Sequence, residues 1–141
     1  MAKIQNVIGL FGTAGNSQWR APVIERLEQE DISYFNPSVE EWTPDCAPIE
    51  AEHLATDKVV LFVVTCESES FGSLAETGWA ILSAMENGRS IIFVIQDYPG
   101  ENTLTPNRVR TLVRAHARRA DVRIYDSIDK AVEVAITAFR S

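Results

Sequence analysis

The run KVVLFVVT, residues 58–65, decides the fold. Its apolar residues do not alternate with polar ones, so both faces of the strand it forms must be covered. That is the signature of a central parallel strand with helices packed on each side. Reading outward, IQNVIGLF (4–11) is a first strand and SIIFVI (90–95) a fourth, again apolar throughout. ISYFN (32–36) is a short second strand stopped by Pro37, and VRIYD (122–126) a fifth. Helical patterns lie between them: 17–30 with Ser17 as N-cap, 46–56 with Asp45 as cap, about 73–87 ending at Gly88, 105–120 and 128–140. In 105–120, Val109, Leu112, Val113 and His116 share one face, with solvated arginines opposite.

Strict alternation of strand and helix predicts an α/β fold, because right-handed crossovers place helices on both faces of a parallel sheet. The expectation is a flavodoxin/Rossmann-like three-layer sandwich of about five parallel strands in order 2-1-3-4-5, one domain over residues 1–141. The chain has 141 residues, 45% of them hydrophobic and 23% charged, the balance of an ordinary globular domain. A net charge of −7 argues against a nucleic acid polymer as partner. No apolar run reaches spanning length and the N-terminus lacks a signal-peptide pattern, so the expectations are no membrane association and a cytoplasmic location. Cys46 and Cys66 do not make a zinc pattern; neither a metal nor a cofactor is expected.

In such a sheet the ligand site lies beyond the carboxyl ends of the strands, at the switch point between strands one and three. The loops there are GTAGNSQWR (12–20) and CESESFGSLAE (66–76). In the first, Gly12 gives backbone freedom, while Thr13, Asn16, Ser17 and Arg20 offer donors for a phosphate or a sugar hydroxyl. In the second, Ser70 and Ser73 flank Gly72 ahead of a helix start, and Glu76 falls near the first turn. The helix dipole there favours an ionised carboxylate, which suits a nucleophile; a first turn also favours Glu for structural reasons alone. Trp42 and Trp19 are candidates for stacking on a base, and Asn36 for a hydroxyl or base contact at the end of strand two.

The segment ETGWA (76–80), with LFGTAGNSQWR, YFNPSVEEW and ATDKVVLFVV in that order, resembles the nucleoside 2-deoxyribosyltransferase superfamily. The resemblance spans most of residues 4–95. It implies that Glu76 attacks the anomeric carbon of a (deoxy)nucleoside or nucleotide while the base leaves. The family's Asp six residues before the nucleophile is replaced here by Ser70. In the related 2′-deoxynucleoside 5′-monophosphate N-hydrolases a Ser at that place binds phosphate, with Ser17 and Arg20 as further phosphate ligands here. Counting back from Asp57 to the family's second-helix acid reaches Ile49, with Glu50 one place on; Glu50 is the candidate assisting acid. Asp57 itself belongs to the opposite edge of the sheet. The resemblance further implies a homo-oligomer. The expected function is cleavage or transfer of an N-glycosidic bond, and the alternative is a non-catalytic nucleotide sensor on the same fold.

Overall fold

The computed structural model describes residues 3–14, 17–67, 73, 74, 76–78, 80, 89–99 and 104–141. Five strands form one parallel sheet: β1 (Gln5–Gly12), β2 (Tyr34–Phe35), β3 (Asp57–Val64), β4 (Ser90–Ile95) and β5 (Arg123–Tyr125), in the order β2-β1-β3-β4-β5. The helices are α1 (Arg20–Gln29), α2 (Cys46–Thr56), a helical segment α3 described at 73, 74, 76–78 and 80, α4 (Leu104–Arg119) and α5 (Ile128–Phe139). The expected three-layer fold and strand order are the observed ones.

β3 shows why its sequence does not alternate. Val59, Leu61 and Val63 pack with Val23 and Leu27 of α1 and with Ala131, Val132, Ala135 and Ile136 of α5. Val60, Phe62 and Val64 point the other way, toward Leu54 of α2, Leu74 and Ala80 of α3, and Val113 and Ala117 of α4. Both sets are buried, so period-two alternation survives only as a choice of apolar partner.

Three local expectations are corrected. Helix α1 begins at Arg20 rather than Ser17, whose hydroxyl instead donates to Glu67 Oε2 at 2.9 Å and so caps nothing. Asp45 precedes α2 but its side chain makes no cap bond. In α4 the inward face is Arg110, Val113 and Ala117, while Leu112 and His116 are exposed. Arg110 is fully buried because its guanidinium satisfies carbonyls at the strand ends: Nε donates to Gln96 O at 2.7 Å and Nη2 to Thr65 O at 3.0 Å. Those carbonyls lie past the ends of β4 and β3, and an unpaired buried carbonyl is costly enough to turn the helix toward them. The predicted end of α3 at Gly88 lies outside the described residues.

Candidate functional site

β1 ends against β3 with unusual closeness. Gly12 has φ 124°, and a Cβ there would fall onto the carbonyl oxygen of Val63. Thr13 then closes the joint from both sides: its N–H donates to Val63 O at 2.8 Å, and its Oγ1 accepts from Thr65 N at 3.0 Å. Arg20, at the start of α1, folds back onto the same turn. Its Nε donates to Leu10 O at 3.0 Å, Nη1 to Thr13 O at 2.6 Å and Nη2 to Gly12 O at 3.3 Å. Trp19 is buried beneath it, its Nε1 donating to Thr13 O at 2.8 Å and its ring 4.5 Å from the guanidinium carbon. The described residues of the β1–α1 turn thus form a floor tied by side-chain bonds that a weak loop motif does not reveal.

Over this floor opens a cleft of about 840 Å³, lined by residues from four places. Phe11, Gly12, Ala14 and Arg20 form its base; Pro37, Ser38, Val39, Glu40 and Trp42 come from the segment after β2. Glu50 projects from α2, and Ser73 and Glu76 from α3. The rim segment is started by Asn36, whose Oδ1 accepts from Ser38 N at 3.0 Å. Trp42 is 56% exposed, and its Nε1 donates to Glu50 Oε2 at 3.2 Å.

Glu76 and Glu50 are close enough to feel each other's charge. The Glu76 carboxyl is raised above the usual range by loss of hydration first and by Glu50 second, while Arg20 acts to lower it. Loss of hydration and the Glu50 charge thus act against the helix dipole, which favours the ionised form. Arg20 in turn is lowered to about 10 by burial, with Glu50 and Glu76 opposing. A buried cation under two carboxylates leaves the group with one excess negative charge when both acids are ionised.

Residues 7–98, more than half of the chain, match the family model described as nucleoside 2-deoxyribosyltransferase like. The chain belongs to that family. No curated protein matches it. The match to the nucleoside 2-deoxyribosyltransferase-like family runs from β1 through β4 and takes in every described residue of the cleft.

Of the residues singled out in the sequence, Gly12, Arg20, Trp42, Glu50, Ser73 and Glu76 meet around the cleft. Asn16, Ser70 and Gly72 lie outside the described residues. Three others are turned to other partners: Thr13 is buried in the strand joint, Ser17 bonds Glu67, and Asn36 bonds the backbone of its own turn. Trp19, the second stacking candidate, is a core residue at 5% exposure. Phe11, Ala14, Pro37, Ser38, Val39 and Glu40 line the cleft without having been singled out. Their sequence signals were a place in or beside an irregular stretch that follows a strand and membership of the LFGTAGNSQWR and YFNPSVEEW segments. Among the described residues no cluster of His, Cys, Asp or Glu could hold a metal ion, and no helix is long and apolar enough to cross a membrane.

Proposed function

We propose that the protein cleaves the N-glycosidic bond of a nucleoside or nucleotide, passing the sugar to water or to a second base. One observation carries this reading. Glu76 and Glu50 face one cleft at the switch point of a nucleoside 2-deoxyribosyltransferase-like chain, and the charge of one raises the pKa of the other. Two carboxyl groups facing one cleft are what glycosidic cleavage needs, one to meet the anomeric carbon and one to serve the departing base.

In the first step a Glu76 carboxylate oxygen bonds the anomeric carbon as the bond to the base nitrogen breaks, its electron pair leaving with the base. That nitrogen takes a proton as it leaves, and Glu50, lining the same cleft, is the group that hands it over. In the second step an acceptor, water or another base, attacks the anomeric carbon, Glu50 takes its proton, and Glu76 is released. Trp42 offers an exposed aromatic face at the rim, and its N–H holds Glu50 in place. Arg20 stabilises the negative form of the pair from below. With its Nε, Nη1 and Nη2 each given to a carbonyl, Arg20 is better placed for that than for gripping a phosphate. Ser17 stands beside the Glu67 carboxylate, which also disfavours a phosphate there.

The test is base release from a panel of deoxy- and ribonucleosides and their 5′-monophosphates. Glu76→Gln is expected to lower turnover on the order of a thousandfold or more while leaving affinity within a few-fold. Near-normal turnover by Glu76→Gln would remove Glu76 from the chemistry. Tight binding without turnover by the unaltered protein would instead select the sensor reading.

A further inference from the structure

Helix α2 carries Glu50 and, one turn later, His53, yet its buried residues are only Leu54 and Thr56. So few apolar anchors do not by themselves fix the rotation of a helix about its axis, and that rotation sets where Glu50 points. His53 supplies what packing does not. In its ring plane, Nδ1 lies 2.7 Å from Asp57 Oδ1; across its face, the ring stacks on Phe35 with centroids 3.7 Å apart and planes 4° from parallel. Asp57 is the first residue of β3 and has no exposed surface. Arg89 fastens the same corner by donating to Asp57 O at 2.8 Å and to Leu54 O at 2.9 Å. Phe35 is the last residue of β2, and the chain that leaves it forms the Pro37–Trp42 rim of the cleft. Both walls, the rim and α2, thus diverge from one contact.

We propose that His53 is a positioning residue of the cleft: gripped between the Asp57 carboxylate and the Phe35 ring, it sets the rotation of α2 that aims Glu50 and the departure of the segment that carries Trp42. This inference rests on the reading of Glu50 and Glu76 as acid and nucleophile. An apolar residue at this place could fill space, but it would leave the Asp57 carboxylate buried without its closest partner. The two-sided grip restrains the imidazole along its plane and perpendicular to it, which one bond or one stack alone does not. The Trp42–Glu50 bond then joins the two walls at the rim, so a slip at His53 is felt at Glu50 from both sides.

The experiment is a double-mutant cycle. His53→Gln keeps a hydrogen-bonding group for Asp57 and removes the stacked ring. It is expected to lower kcat for base release about tenfold with KM within about twofold, since misaiming an acid affects the transition state more than binding. In a Glu50→Gln background the same change should cost less than about twofold, because there is no acid left to misaim. Equal losses in both backgrounds, or an unchanged kcat, overturn the proposal. Trp42 emission, taken as the difference from Trp42→Phe, gives a readout that needs no turnover: it should shift in His53→Gln, and an unshifted spectrum overturns the proposal. If His53→Gln does not fold, Asp57→Asn keeps the ring in place and weakens its grip, and the same non-additivity with Glu50→Gln is expected. Failure of the unaltered protein to release any base counts against the enzyme reading and leaves the Trp42 spectrum to judge the grip.

Discussion

The two edges of the β1–β3 pair each carry a carboxyl raised by loss of hydration, and they do so to opposite ends. At the amino edge the Asp57 carboxylate is raised to about 6 by burial, against the opposing pull of His53 and Arg89. Its surroundings are closed: His53 takes one oxygen, Gly9 lies against the other, and Gln5 bonds Thr56 next door at 2.8 Å. At the carboxyl edge Glu76 is raised for the same first reason, but it faces a cleft of about 840 Å³ with a second carboxylate across it. A perturbed acid is therefore not by itself a site. What separates the two edges is space for a ligand and an acid left available to it. A second hollow of about 420 Å³ between α1 and α5 makes the complementary point, since its Arg26 and Glu133 are already joined at 2.6 Å.

The comparison rests first on a rigid carboxyl edge. Gly12→Ala places a Cβ on the Val63 carbonyl and forces a positive φ on a side chain. A cost of about 3–5 kcal/mol is expected, read as a lower urea midpoint, because backbone at that contact has nowhere to move. Wild-type stability in the Gly12→Ala variant would show that the strand ends are loose and the floor of the cleft is adjustable.

A smaller effect is expected from Arg20→Met, which keeps the apolar stem and removes three bonds to the carbonyls of Leu10, Gly12 and Thr13. Unfolding should show a loss of roughly 2–3 kcal/mol. Removing the cation also raises the Glu76 carboxyl further, so the acid limb of any pH–rate profile moves to higher pH. An unmoved limb would mean that Arg20 holds the floor and has no part in the charge of the pair.

An effect that shows only as pH changes sharpens the amino edge. A carboxyl raised to about 6 binds its proton more tightly in the folded protein than in the unfolded chain. Stability therefore falls as pH rises from the ordinary carboxylate range to about 6 and is level above it. Asp57→Asn removes that contribution, so across the window the wild type should lose about 3 kcal/mol more than the variant, at about 1.4 kcal/mol for each unit of the rise. Parallel pH profiles for the two proteins would place the buried charge elsewhere.

Much was legible before any coordinates. KVVLFVVT required two covered faces, and the strand–helix alternation required crossovers, so the layer count, strand order and site edge followed from periodicity and handedness. Glu76 and Glu50 became candidates through their place in the ETGWA and second-helix patterns rather than through periodicity, and both line the cleft. The arginines were not legible. RVRTLVRAHARR reads as a solvated basic face, yet Arg110 is buried because strand-end carbonyls from two distant segments need donors. Arg20 reads as an anion ligand, yet its nearest acceptors are the carbonyls of its own turn.

Local pattern fixes what a segment can become, because helix and strand periods, caps and breakers act over a few residues. It determined the fold of this chain and the edge at which to look. Which polar side chains face outward to a ligand and which are absorbed by the backbone was decided only by tertiary structure. Burial and hydrogen-bond satisfaction depend on neighbours far away in sequence, as between Ser17 and Glu67. The same dependence made Trp19 a core residue and left Trp42 at the rim beside Glu50, though each stands in a segment that follows a strand.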